Sequence, residues 1–140
     1  MVDELSLWLE YSEADYETAR FLYDKQYPRQ LEIICYHCQQ ASEKIIKALY
    51  LAANIPGGIP HKHDLGFLLN QLSGRIDIPD DVADAAADLE TYAIIVRYPR
   101  ENRVDDYYTR KAMRDSKKVM DWAKDMIRSI SDEVEQESKE

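Results

Sequence analysis

His37, Lys44 and Lys47 lie on one stretch, Leu31–Ala53, which reads LEIICYHCQQASEKIIKALYLAA. With Tyr36 and Gln40 beside them, an imidazole and two ammonium groups could hold a phosphate, and the imidazole could move a proton. A second set follows at Arg97, Arg100 and Arg103, three residues apart around Pro99, with Tyr98 between the first two. Guanidinium forks clamp phosphates and tyrosine rings stack on bases, so this set reads as a phosphate clamp with Tyr107 and Tyr108 close behind. The competing reading is structural. Lys44 and Lys47 would then solubilise an exposed face, Pro99 would stop a helix, and Arg97 would meet its carbonyl end.

Cys35 and Cys38 are the only cysteines, and His61 and His63 follow them. Cys-x2-Cys ahead of His-x-His offers four zinc ligands. A helix, however, would direct both thiols into its own packed interface, so they read as core thiols and no metal is expected. His61-Lys62-His63 reads first as loop and capping chemistry, able to add charge to an anion pocket.

The elements that must position these groups are helices. Leu31, Ile34, Cys38, Ala41, Ile45, Leu49 and Ala52 fall at three-and-four spacing, which predicts a long buried helix starting near Arg29, with His37, Lys44 and Lys47 on its polar side. Before it, residues 3–25 carry Leu5, Trp8, Leu9, Ser12, Tyr16, Ala19 and Tyr23 on one stripe, and Tyr27-Pro28 ends that helix. A link this short makes the two helices antiparallel neighbours. NIPGGIPHK, residues 54–62, can only be a loop. Asp64 can cap a brief helix ending at Gly74, and Asp80 or Asp81 can cap a fourth that Pro99 interrupts. The last helix is expected from about Val104 to about Ile130. The fold predicted is all-α, an up-and-down antiparallel bundle of four long helices plus one short crossover helix. Residues 1–130 would form the one domain and 131–140 an acidic, frayed tail.

Totals agree with a single domain of 140 residues, 45% hydrophobic and 32% charged, with four Gly and five Pro. No apolar run could span a bilayer and the acidic start does not read as a secretory signal, so a cytoplasmic location is expected. The net charge of −9 argues against broad coating of nucleic acid. Charge is uneven, however: residues 1–25 hold seven acids and two bases, while 97–118 hold eight bases and four acids. Ten tyrosines are more than a small core hides with satisfied hydroxyls, so several should lie at a surface or interface.

The order of these signals resembles a known family. Tyr36-His-Cys-Gln-Gln-Ala-Ser-Glu-Lys-Ile-Ile-Lys-Ala-Leu49, then His63-Asp64-Leu65, then Arg97-Tyr98-Pro99, together are similar to the HEPN domain, over roughly residues 3–130. The resemblance implies an up-and-down helical bundle, often a homodimer, encoded beside a minimal nucleotidyltransferase in a toxin–antitoxin-like pair, and without a resident cofactor. Nucleotide or RNA is the ligand class it implies. Many members cut RNA with an Arg followed at short spacing by a His at the start of the last helix, the His moving the 2′-hydroxyl proton and the Arg holding the phosphate charge. This chain breaks that pattern. The positions where that His would stand are Asn102, Arg103, Val104, Asp105, Asp106, Tyr107, Tyr108, Thr109 and Arg110, and no His follows His63. The resemblance therefore implies a binding and regulatory module. The alternative is a metal-independent ribonuclease using His37 with Arg97. Family members also keep a modified tyrosine after the His, which makes Tyr107 and Tyr108 candidates to accept an adenylyl group from the partner.

Overall fold

Five helices make up the described chain: α1 (Glu4–Lys25), α2 (Leu31–Ala52), α3 (Leu65–Leu72), α4 (Asp80–Arg97) and α5 (Asp106–Lys139). The computed structural model describes residues 3–97 and 104–139, with 94–97 and 139 by backbone alone, and no strand occurs among them. Three helix starts are fixed by aspartates whose side chains accept amide protons that the helix leaves unpaired. Asp3 Oδ1 takes Ser6 N–H at 2.7 Å, Asp64 Oδ1 takes Phe67 N–H at 3.1 Å, and Asp105 Oδ1 takes Tyr108 N–H at 2.9 Å. Asp80 and Asp81 do not cap α4 from outside but lie in its first turn, where their charge complements the helix dipole. Pro79 precedes them, and its carbonyl accepts from Ala83 N–H at 3.1 Å.

Successive long helices run antiparallel. Ser12 on α1 donates to the Ala41 carbonyl on α2, and Lys111 on α5 reaches Asp88 on α4 while Lys118 reaches Asp81. α2 and α5 are therefore parallel, and they meet closely. Cys35 donates to Thr109 at 3.7 Å, and Ser42 and Ser116 both donate to the Cys38 carbonyl, at 3.1 and 2.9 Å. Ala41, Ser42, Ala112 and Ser116 are all fully buried, and such small side chains let two helix backbones approach. α2 is the hub of the bundle, touching each of the other four helices.

Three boundaries differ from the sequence reading. α2 begins at Leu31 rather than near Arg29, capped at Gln30 without a side-chain hydrogen bond. α3 stops at Leu72, ahead of Gly74. α5 passes Ile130 and continues to Lys139, with 131–138 exposed throughout. That extension contains no Gly or Pro and is rich in Glu, a good helix former, so loss of apolar burial does not by itself stop the helix.

Candidate functional site

Two carboxylates, Asp15 half-buried and Glu43 buried, organise the polar side of α2. Asp15, on α1, receives His37 Nδ1 on one oxygen at 2.9 Å and the Lys44 ammonium on the other. Its side chain is 14% exposed, those of His37 and Lys44 about a quarter. Held through Nδ1, the His37 ring presents Nε2 as its remaining nitrogen, an arrangement suited to proton transfer. Lys44 is thus the partner of an acid rather than a free cation.

Glu43 is the second hub. Its Oε2 takes Lys47 Nζ and His63 Nδ1, both at 3.0 Å, and its Oε1 takes Gln39 Nε2 at 3.4 Å. Lys47 is only 5% exposed, which corrects the expectation that it faces solvent. The cause is the carboxylate one turn back, together with Trp8 of α1, over whose ring the ammonium sits at 5.6 Å. His63 stays largely in water and moors the loop before α3. The same corner holds Glu90 of α4, whose Oε2 accepts Leu65 N–H at 2.7 Å.

The start of α5 carries the tyrosines. Tyr107 and Tyr108 pack edge to face at 5.3 Å and are 58% and 52% exposed. Nearby, Tyr23 donates to Asp106 at 2.7 Å, a bond that raises the Tyr23 hydroxyl above its usual range. Arg97 ends α4, seven residues and so about two turns beyond Glu90. Its side chain, and Tyr98, Arg100 and Arg103 entirely, lie outside the described residues, so the phosphate clamp is not placed.

The cysteines are core thiols, as their helical spacing suggests. Both are free and fully buried, and burial pushes the Cys35 thiol up to about 11 and raises that of Cys38 as well. His61 and His63 are not brought to them: His63 is committed to Glu43, and among the described residues no group of His, Cys, Asp and Glu could hold a metal ion. No helix among the described residues is long and apolar enough to cross a membrane.

The model of the HEPN domain matches residues 5–126, nearly the whole bundle. The chain belongs to the HEPN domain family. Solved structures of the same fold include ST0689, an archaeal HEPN homologue, at 22% identity and a TM-score of 0.68, covering 90% of this chain and 99% of that one. TT1696 from Thermus thermophilus matches at 25% identity and a TM-score of 0.63, covering 94% and 98%. A HEPN domain protein from Thermotoga maritima matches at 21% and 0.56, covering 92% and 98%. Among curated proteins none matches this chain.

In this HEPN domain the sequence reading singled out His37 and both lysines but missed the acids that hold them. Glu43 had a visible signal, because Gln39, Glu43 and Lys47 stand one helical turn apart. Asp15 had none, since it lies 22 residues from His37 and 29 from Lys44. Glu90 is the third acid missed, and it makes a testable pH effect. Burial raises its carboxyl above the usual carboxylate range, the Leu65 N–H works the other way, and the charges of Asp64 and Glu43 add to the rise. A group that binds its proton more readily folded than unfolded favours the fold on the acid side, and that contribution is lost as pH rises through the folded value. Glu90→Gln keeps an acceptor for Leu65 and removes the charge. It is expected to raise the melting temperature at pH 7, with the gain shrinking as pH falls toward 4. Melts at the two pH values check this, and a variant less stable than the parent at pH 7 would show that the charge itself is needed.

Proposed function

We propose that this HEPN domain is a binding and regulatory module that dimerises, pairs with a minimal nucleotidyltransferase-type protein in a toxin–antitoxin-like system, and holds a nucleotide. The observation that carries the reading is membership of the family over residues 5–126 combined with a sequence in which no His follows His63. Without that His the family's usual ribonuclease centre lacks its proton carrier. Lys44 and Lys47 support the scaffold instead, since Lys44 neutralises the half-buried Asp15 and Lys47 the buried Glu43. Phosphate contact then falls to Arg97, Arg100 and Arg103, with Tyr98 for stacking, and adenylylation to Tyr107 or Tyr108.

Native mass spectrometry of the protein taken gently from its own cells tests this, because one spectrum reports subunit number, bound nucleotide and any second chain. A second polypeptide, a bound nucleotide or an added adenylate supports the reading, and Arg97→Ala with Arg103→Ala should then release the nucleotide. A bare chain with none of the three sinks it.

One observation favours a second reading. His37 is held through Nδ1 by a carboxylate that is itself mostly buried, the preparation a general base requires. In that reading the domain is a metal-independent ribonuclease, His37 takes the 2′-hydroxyl proton and Arg97 steadies the phosphate. RNA cleavage by the parent and its loss in a folded His37→Ala variant sustain it, and an inactive parent ends it.

A further inference from the structure

We propose that the outer face of α1 docks an amphipathic helix of a different protein, one that carries Lys or Arg beside its own apolar stripe. Neither a bound nucleotide nor a second copy of this chain is needed for that surface to work.

α1 carries two stripes. Ser12 and Ala19, fully buried, belong to the one that packs on α2. The other runs Leu7, Tyr11, Ala14, Thr18 and Phe21, spaced four, three, four and three, which is the core repeat of a coiled coil. No described helix covers it. α1 is packed against α2 and only lightly against α5, and on this stripe Tyr11 is 51% and Phe21 63% exposed. From Leu7 to Phe21 the line is about 21 Å long at the rise of a helix. Apolar rings at matched spacing along such a line mark an interaction surface rather than scattered surface residues.

Charge decides what can lie there. Glu10, Glu17 and Asp24 each stand one residue before a position of the repeat, at Tyr11, Thr18 and Lys25, so they line one flank of the stripe at seven-residue intervals. All three are exposed, and none has a hydrogen bond or ion pair among the described residues. Arg20 lies on their far side and pairs with neither Glu17 nor Asp24. The other flank holds Trp8, Asp15 and Leu22, which turn toward the bundle: Asp15 binds His37 and Lys44, and Trp8 and Leu22 pack on the core. In a coiled coil the flanking charges choose the partner and its direction. A row of uncompensated carboxylates beside an apolar line therefore selects a helix whose flanks are cationic. A second α1 does not qualify. Laid parallel, it would set the acid row against the flank that holds no cation, and laid antiparallel it would set acid against acid.

Fluorescence anisotropy with three synthetic helical peptides tests the surface. The first has Leu along its stripe and Lys on both flanks, the second has Glu for every Lys, and the third has Ala for every Leu. At low salt the first is expected to bind the parent with a Kd on the order of 10 µM, as befits a contact smaller than a standard interface, and the others at least about 10-fold more weakly. Tyr11→Gln/Phe21→Gln should weaken the first peptide at least about 10-fold, and so should Glu10→Gln/Glu17→Gln/Asp24→Asn. The chain is acidic overall, so Glu133→Gln/Glu135→Gln/Glu137→Gln serves as the control: it removes as many charges from the exposed end of α5 and should leave the Kd within about 2-fold. Every side chain changed is exposed, so the fold should survive, and circular dichroism checks this. Ala14→Gln, on the same exposed stripe, serves if the double variant misfolds. Binding that is absent up to about 1 mM, that persists unchanged in the stripe variant or the acid-row variant, or that the control weakens equally overturns the surface. So does self-association of the parent that the stripe variant abolishes in sedimentation equilibrium, because a second copy would then be the occupant.

Discussion

Glu43→Ala is expected to destabilise the fold by about 3–5 kcal/mol, the usual cost of removing one member of a buried ion pair. For a chain of this size that corresponds to a fall of about 10–20 °C in melting temperature. The argument rests on what the carboxylate holds. Glu43 and Lys47 side chains are 4% and 7% exposed, and the same carboxylate receives His63 and Gln39. Without it the Lys47 ammonium remains inside the bundle with only the Trp8 ring for company, and the loop before α3 loses its mooring. Lys47→Met should cost less, because it leaves Glu43 with two of its three donors and fills similar volume with a flexible apolar chain. Glu43→Leu/Lys47→Leu should recover much of the single-variant loss, since two apolar groups of similar size need no counterion. Thermal and urea melts of the four proteins decide the matter, and a Glu43→Ala variant within about 1 kcal/mol of the parent would show that water reaches the pair freely.

The helices were legible because apolar spacing is a local property. The stripe from Leu31 to Ala52 marked α2, Tyr27-Pro28 marked the end of α1, and the Pro/Gly-rich 54–62 segment marked the loop, where Gly57 and Gly58 do take positive φ of 87° and 74°. The extent of α5 was less legible, because the polar residues after Ile130 end the burial signal without ending helix propensity. Burial of Lys47 was hidden for a different reason. A lysine ordinarily faces water, and only the carboxylate one turn earlier and an indole from α1 make the interior tolerable for it. Pairings such as Asp15 with His37 and Lys44 depend on how α1 lies against α2, and no local pattern encodes that. The family motif itself therefore pointed to α2 while leaving open which of its charges are scaffold. Asp15 pairs with Lys44 and Glu43 with Lys47, and a cation already paired with a carboxylate gains less from a phosphate than a free one.

Ile45→Ala is expected to cost about 2–5 kcal/mol. Ile45 is fully buried, and α2 is enclosed by α1, α3, α4 and α5, so the space vacated cannot be closed by moving one outer helix inward. Where surroundings relax little, the cost includes the empty volume as well as the lost transfer of the methyl groups. Ile45→Val, which removes one methylene, should cost only about 0.5–1.5 kcal/mol. Val134→Ala provides the contrast: Val134 is 59% exposed on the extension of α5, and its truncation should stay within about 0.5 kcal/mol. Urea unfolding should show the Ile45→Ala midpoint falling with the slope unchanged, because the variant alters the stability of the packed state and not the surface that unfolding exposes. If Ile45→Ala and Val134→Ala cost the same, α2 is not the shared core of the bundle, and the two carboxylate hubs on its polar side would lose the rigid support that holds His37 and His63 in place.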